Sequence, residues 1–450
     1  MPFVSPGRAL AWGLALSTFA SSCATAQGRR HDAQWRDFRA DERAAAAPVD
    51  DRALADAPHL DRAAVIAAVL VRNPDVAAAR EGWHGALARY RQATAVGDPM
   101  LRYEVAPLSV TGDARFGQRI ALSQTVPFPG KRRLAGEAAL DEADAARGEV
   151  AAARLELAQM ASELYDDYFA AARALDINDH HRALVAQLRQ GAEAQYVAGR
   201  GGQADLLAAE VELGQIERER LGLEAERDLV VAQLNGLLHR APDARLAPPP
   251  ERLDLAGAVD GTAAELEARA LAARPQRQAS QARLRAAGAR IALAERESYP
   301  DLELMGSYDS MWDMPEHRWM LGIALELPLD RGRRAAMVDE AAADSARMRR
   351  EDERLADAIR VDVARAHRRV VEQAAVVAVY EQKILPAARA RADAARNAYT
   401  AGQAELMAAI EADKGMREVE LEIETARAEL SRRRAALARA VGVLPPGGAP

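Results

Sequence analysis

The side chains best suited to chemistry in this sequence are three methionines and one histidine within a single short segment. Met311, Met314, His317 and Met320 carry thioether and imidazole groups, which are the soft ligands that suit Cu(I). Spacing within a loop fixes no ligand geometry, and methionine side chains commonly fill gaps in packing. We therefore predict packing roles for these residues and no metal site.

The remaining polar side chains form no recognisable catalytic set. The sequence has no phosphate-binding glycine loop, no nucleophile elbow and no Cys/His site. His180 and His181 are neighbours on a predicted helix, and neighbouring helical residues do not share a face, which argues against a metal pair. Basic runs such as residues 432–434 follow a helical pattern and indicate solvated helix faces. We predict no enzyme activity, no cofactor and no nucleic-acid partner.

The single cysteine, Cys23, lies in an N-terminal export signal. Arg8 precedes an apolar stretch over residues 9–20 that is too short to span a bilayer, and small residues follow it. The run Ala-Ser-Ser-Cys at 20–23 is similar to a bacterial lipobox, which would place a lipid on Cys23. Residues 24–26 also fit an ordinary A-x-A cleavage site, and Cys23 would then leave with the signal. The position of the lone cysteine favours lipidation, with a signal peptide over residues 1–22.

The elements around these residues occur twice. Three prolines recur 201 positions later, and a Tyr-x-x-Gly pair recurs 203 positions later; the pairs are Pro74 and Pro275, Pro99 and Pro300, Pro127 and Pro328, Tyr196 and Tyr399, and Gly199 and Gly402. A period this long means two copies of an architectural module. With 4% aromatic and 28% charged residues, the alanine-rich helical spacing predicts long helices with small-residue cores.

Each repeat contains two segments in which apolar and polar residues alternate. They cover residues 100–105 and 119–126 in the first repeat, and 301–309 and 319–327 in the second. One apolar face and one face with ionised residues is typical of a strand between lipid and a polar lumen. A half-buried strand in a soluble sheet alternates in the same way, but four such strands in an exported chain favour the membrane. Small barrels need about eight strands, so we predict a homo-oligomer.

Very long helical runs follow the strands. Residues 131–198 contain no proline and would span about 100 Å as one helix, whereas Pro386 should kink the counterpart over residues 334–399. Gly199 and Gly402 end the runs and are predicted to adopt the left-handed C-cap conformation.

The repeats give the chain a simple division. We expect an extended leader, a first repeat, a linker, a second repeat and a tail, over residues 23–59, 60–240, 241–261, 262–443 and 444–450 respectively.

The order of these helices, strands and turns, together with their duplication, resembles the TolC-like outer-membrane efflux family over residues 60–443. Asn-Pro-Asp-Val-Ala-Ala-Ala-Arg at 73–80 is similar to the opening of the family repeat. Leu-Ser-Gln-Thr-Val-Pro at 122–127 resembles the barrel exit, and Ile-Leu-Pro at 384–386 resembles the last long helix. The Pro-Phe-Pro-Gly-Lys turn at 127–131 is similar to the heavy-metal branch.

The resemblance implies an α+β fold that is mostly α. Three chains would form one tube, in which four strands per chain make a twelve-stranded outer-membrane barrel and the helices form a periplasmic tunnel. Such a homotrimer would be a passive exit duct for metal cations or drugs. Its partners would be a periplasmic adaptor, an inner-membrane pump and outer-membrane lipid.

The resemblance also assigns roles to the ends of the long helices. Asp205 and Glu411 match positions where the family carries acidic gate residues, and threefold symmetry would turn them into rings that attract cations. Helix N-terminal acids that satisfy the macrodipole explain them equally well. Tyr196 and Tyr399 mark the tips with the two glycines, at which the adaptor would dock; C-capping is the simpler explanation of those glycines.

A soluble periplasmic coiled-coil adaptor is the alternative class. Adaptors also combine long helical hairpins with β-structure, but usually with one hairpin and with β-rich flanking domains. The duplicated strand pairs favour the outer-membrane duct.

Overall fold

The computed structural model describes residues 26–48, 50–106, 117–199, 201–254, 259–312 and 314–445. The predicted signal peptide, Cys23 and most of the predicted tail lie outside these residues. Within the described residues, no helix combines the length and apolarity needed to cross a membrane.

The described part of the chain forms two compact units. The strand unit comprises residues up to 42, 80–148 and 278–354, and the hairpin unit comprises residues 43–79, 149–277 and those from 355 onward. Each unit therefore takes chain from both repeats.

The helices and strands follow the same order in both halves of the chain, as the duplication predicts. In chain order they are α1 (Ala26–Ala45), α2 (Asp51–Ala55), α3 (Arg62–Arg72), α4 (Pro74–Thr94), β1 (Met100–Ala106), β2 (Gly117–Val126), α5 (Lys131–Val197), α6 (Gln203–Leu237), α7 (Ala263–Ala273), α8 (Pro275–Arg296), β3 (Leu302–Asp309), a 3₁₀ turn (Pro315–His317), β4 (Trp319–Leu325), α9 (Arg331–Val379), a π-helical turn (Tyr380–Ile384), α10 (Leu385–Thr400) and α11 (Leu406–Val441).

The expectation of an extended leader over residues 23–59 is wrong, because α1 and α2 are helical. His31, Gln34 and Phe38 are buried along one face of α1, and the Phe38 ring meets the Trp83 ring edge-on at 5.2 Å. Spacings of three and four residues place these side chains on one helix face. Most of the charged residues of this segment are exposed, and their number hid the apolar spacing in the sequence.

The strand unit contains one antiparallel sheet with the order β1-β2-β3-β4. Its central pairing joins the two repeats, from Arg119 opposite Asp309 to Val126 opposite Leu302. At the end of the sheet, the Lys131 ammonium lies 3.1 Å from Glu297 and 2.9 Å from Asp301. Burial opposes the ammonium charge, but these two carboxylates outweigh it and raise the pKa of Lys131. The start of α5 is thereby tied to the end of α8.

The hairpin unit has the larger apolar core. Side chains of α3 pack there on α5 and α6, including Val65, Ile66, Val69, Leu157, Ala161, Tyr165 and Leu234. Burying each large aliphatic side chain contributes roughly 1.5–3 kcal/mol. At the edge of this core, the Arg62 guanidinium donates to Asp166 at 2.5 Å and to the Ser162 hydroxyl at 2.8 Å, so the buried charge of Asp166 is paired.

The predicted disturbance at Pro386 takes the form of a π-helical turn. Proline has no backbone N–H and cannot continue the α-helical hydrogen-bond ladder. The chain passes from α9 to α10 through the turn Tyr380–Ile384, in which the Leu385 N–H bonds to the Tyr380 carbonyl. The long helix of the first repeat, α5, has no such interruption over its 67 residues.

Candidate functional site

The first notable surface is an apolar face of the sheet that the chain leaves exposed. The register places Leu101, Leu122, Gly306 and Leu321 in one row across the four strands. Tyr103, Ile120, Tyr308 and Trp319 form the next row, in which the last two rings are 5.2 Å apart. Leu321 is 95% exposed and Trp319 is 74% exposed. A contiguous apolar surface of this kind marks a partner or membrane contact.

The opposite face of the sheet carries the ionised residues. Arg119 lies between Glu104 and Asp309, with nitrogen–oxygen distances of 3.8 Å to each carboxylate. Met100, Arg102 and Ser307 share this face by the alternation of the strands. The sheet therefore separates an apolar face from a charged one, as the sequence predicts.

In the methionine-rich segment between β3 and β4, Met311 and His317 make contacts, whereas Met314 is 56% exposed. Met311 fills the space beside Gly117, where a Cβ atom would meet the methionine side chain at 2.6 Å. The His317 ring lies edge-on to Trp312 at 6.0 Å. Among the described residues, no group of three or more His, Cys, Asp or Glu side chains is arranged to hold a metal.

The two tip turns, where the long helices meet the return helices, have similar backbones. Gly199 has φ +69° and Gly402 has φ +71°, so the predicted left-handed C-caps are confirmed. Their N–H groups donate to the carbonyls of Tyr196 and Tyr399, at 3.0 and 2.9 Å. Among the described residues, no further group lies within 4 Å of a Cβ built on either glycine, so the positive φ is what favours glycine there.

The tyrosines of the two tips differ in environment. Tyr399 is 5% exposed and packs in a cluster of Leu188, Ala192, Ala209, Leu406, Ala409 and Ile410. Its hydroxyl has no hydrogen-bond partner in the part of the chain that the structure describes. Burial, and after it the charge of Asp205, raises the pKa of Tyr399. Tyr196, the matching residue of the first repeat, is 46% exposed. The structure thus brings Asp205 and Tyr399 together and leaves Tyr196 outside the cluster.

The two predicted gate acids lie in unlike places. Asp205 is half-buried in the first turn of α6, whose N-cap is Gly202 without a side-chain cap. Glu411 is exposed and lies in the second turn of α11. The macrodipole therefore favours the negative charge of Asp205, and Glu411 lies beyond the first turn over which this effect acts.

Sequence reasoning missed a buried histidine in the same unit. His181 on α5 is 2% exposed; its Nδ1 lies 2.8 Å from an Asp413 oxygen and its Nε2 lies 3.0 Å from a Glu420 oxygen. His180 beside it is exposed. A signal was present, because two acids seven residues apart on α11 share one helix face.

The strand unit thus has an open sheet with an exposed apolar face, and the hairpin unit has long helices that end in glycine turns. Residues 266–443 match the family described as outer membrane efflux protein, which is 178 of the 450 residues. This match covers nearly all of the second repeat. The search of curated protein sequences found no match.

Solved structures extend the similarity to most of the chain. The structure of CusC, described as forming a transmembrane channel, is 18% identical, with a TM-score of 0.72 over 88% of this chain and 95% of that chain. The outer-membrane channel OprN is 20% identical, with a TM-score of 0.69 over 89% and 95%. The outer membrane protein VceC from Vibrio cholerae is 19% identical, with a TM-score of 0.67 over 84% and 95%.

These comparisons confirm the predicted mostly helical fold with four antiparallel strands and the resemblance to the outer-membrane efflux family. The matched structures cover both repeats, and the family match falls on the second. The soluble periplasmic adaptor is therefore not favoured.

Proposed function

We propose that this chain is the subunit of an outer-membrane channel in a tripartite efflux system, acting as a passive exit duct. The observation that carries the proposal is the exposed apolar face of the sheet, where Leu321 is almost fully accessible and Trp319 is largely exposed. Contact with lipid would cover this face. A duct needs no catalytic step, and we assign none.

The sheet itself supports a homotrimer. Within the described residues, β1 and β4 each pair with one neighbour and present an open edge. Open edges are sites for pairing with another chain. Pairing β4 of one copy with β1 of the next, three times over, would close a barrel of twelve strands.

Fractionation and detergent dependence test this assignment. We expect the protein in the outer-membrane fraction, extracted by detergent as a trimer that conducts ions across a planar bilayer. A soluble periplasmic monomer in the absence of detergent would contradict the proposal. The matched variants Leu321→Glu, on the exposed apolar face, and Arg350→Glu, on the exposed face of α9, should separate the two cases: only the first should abolish membrane insertion.

The gate of this duct would use the two tip acids. Replicated three times, Asp205 and Glu411 would form rings of negative charge at the tips and attract cations. Replacing Glu411 with Gln should lower the permeability ratio of cations over anions in bilayer recordings. If the permeability ratio is unchanged in both Glu411→Gln and Asp205→Asn, the two acids do not form a gate, and only the macrodipole role of Asp205 remains.

The partners would be a periplasmic adaptor and an inner-membrane pump. The exposed tip turns at Gly199 and Gly402 are the proposed docking points for the adaptor. Substitutions at neighbouring exposed positions, such as Val197→Glu, should weaken adaptor co-purification without loss of the trimer. Full adaptor binding by such variants would reject docking at the first tip.

Cys23 would anchor the mature chain through a lipid. Metabolic labelling with palmitate should mark the protein, and Cys23→Ser should remove the label. An unlabelled wild-type protein with an N-terminus beyond residue 23 would instead show ordinary cleavage.

The duct itself does not identify its substrate, because selection takes place largely at the pump. The two candidate classes are metal cations and drugs. A deletion strain exposed to copper, silver, zinc, dyes and antibiotics separates these classes. Sensitivity to metals alone would support the heavy-metal branch, and sensitivity to dyes or antibiotics alone would reject it.

A further inference from the structure

A seam of buried charge joins three helices of the hairpin unit. His181 on α5 contacts Asp413 and Glu420 on α11, as described above. One helical turn beyond Asp413, Arg417 is 4% exposed and lies 3.1 Å from Glu219 and 3.8 Å from Glu212, both on α6. One face of α11 is therefore held by charged contacts to both helices of the first-repeat hairpin.

The geometry at His181 requires the charged form of the ring. Each ring nitrogen faces a carboxylate oxygen within hydrogen-bond distance. A neutral imidazole carries one N–H and one lone pair, so it would turn that lone pair toward an acid. The imidazolium donates from both nitrogens and satisfies both carboxylates. Asp413 is only 3% exposed at its side chain, and without this partner its charge would be buried unpaired.

The seam fixes how α11 is rotated about its axis. Asp413 and Glu420 are seven residues apart, about two turns, and therefore share the face that meets α5. Glu411 precedes Asp413 by two residues, which places it about 200° around the helix, on the exposed side.

We infer that His181 is a positioning residue of the channel: a charged clasp between the repeats that holds α11 with Glu411 facing outward. This inference rests on the proposed gate function of Glu411. It adds to that proposal a residue of the first repeat, His181, that orients the gate acid Glu411 of the second repeat.

The surrounding charges predict how the clasp responds to pH. Burial opposes the imidazolium, but the hydrogen bonds and charges of Asp413 and Glu420 outweigh it and raise the pKa of His181 to about 9. Arg389 on α10 lies 3.6 Å from Glu420, and the exposed His180 is the other basic group near this acid. Because the folded pKa is raised, the clasp is fully formed below about pH 6.5 and is lost as pH rises through about 9.

Hydrogen exchange on the full-length protein in detergent tests the clasp without reference to conduction. We compare His181→Gln with His180→Gln, the same change on an exposed neighbour. At pH 7, His181→Gln should speed exchange over residues 410–424 at least tenfold, whereas His180→Gln should stay within twofold of wild type. Wild type should show the same increase between pH 7 and 10, after correction for intrinsic exchange rates. Equal protection in His181→Gln and wild type, or an alkaline step that persists in His181→Gln, would overturn the inference.

A second variant covers the case in which His181→Gln does not fold. The triple variant His181→Gln, Asp413→Asn, Glu420→Gln leaves no unpaired buried charge and keeps polar groups at all three positions. It should fold and lack the alkaline step. Persistence of the step would assign it to another group and reject the clasp.

Bilayer recordings separate the clasp from the gate. His181→Gln should lower the cation preference as Glu411→Gln does, and the double variant should fall no further, because both changes remove the same oriented carboxylate. If Glu411→Gln lowers the cation preference and His181→Gln does not, the positioning role of His181 is rejected. No effect of Glu411→Gln would reject the proposed gate, and the exchange result would still decide whether the clasp exists.

Discussion

The two tip turns share a backbone conformation but not an environment. Both glycines have nearly equal positive φ values and make the same capping hydrogen bond. Tyr399 is nevertheless buried among apolar side chains, while Tyr196 is exposed. The difference teaches that duplication preserved the turn, whereas packing placed only the second tip in a cluster built from both repeats. Any motion that frees the second tip must break that cluster.

The largest expected effect comes from removing the buried ring. Tyr399→Ala should destabilise the tip cluster by about 3–5 kcal/mol, because it leaves a cavity where the ring packed. Tyr196→Ala, its matched control, should change stability by less than about 0.5 kcal/mol. Urea denaturation followed by helical circular dichroism measures both. Equal losses would show that the two tips are packed alike.

A pair of aliphatic residues 203 positions apart sharpens the same comparison. Ile410 is 4% exposed and Leu207 is 51% exposed. Ile410→Ala should cost about 2–4 kcal/mol through lost burial and the cavity left behind. Leu207→Ala should cost well under about 1 kcal/mol by the same urea titration. A larger loss for Leu207→Ala would indicate that another chain covers the first tip.

Glycine substitution should erase the difference between the tips. Gly199→Ala and Gly402→Ala both place a side chain at positive φ with no steric neighbour, so each should cost about 1 kcal/mol. The two melting temperatures should therefore fall by similar amounts. Clearly unequal shifts would mean that one glycine has a contact that the single chain does not contain.

The smallest effect is expected from the tyrosine hydroxyl. The Tyr399 oxygen is buried without a hydrogen-bond partner, so Tyr399→Phe should be neutral or stabilising by up to about 1 kcal/mol. Destabilisation of more than about 1 kcal/mol would reveal a hydrogen bond in the assembled protein. Tyr196→Phe is the control and should change nothing measurable.

Local patterns in the sequence predicted the repeating part of the fold. Alternation placed Leu321 and Trp319 on one strand face, and Tyr-x-x-Gly predicted the glycine caps, because both features depend on neighbours in the chain. The helix α1 was missed, since its charges hid the spacing of His31 and Phe38.

The residues in which the two repeats differ depend on contacts with residues far away in the sequence. His181 meets acids 232 and 239 positions away, and Tyr399 packs beside Leu188 of the other repeat. A sequence pattern places such residues on a helix face but does not identify the partner across the interface. Whether a matched tyrosine is buried or exposed therefore required the packed structure.

Bilayer conductance of matched tip variants tests our central proposal, that the chain forms a trimeric channel; we expect the tip cluster around the buried Tyr399 to restrict its conductance. The wild-type trimer should show a small conductance, Tyr399→Ala should raise it severalfold, and Tyr196→Ala should leave it unchanged. Equal opening by both variants, or no conductance from any detergent-extracted trimer, would contradict the account.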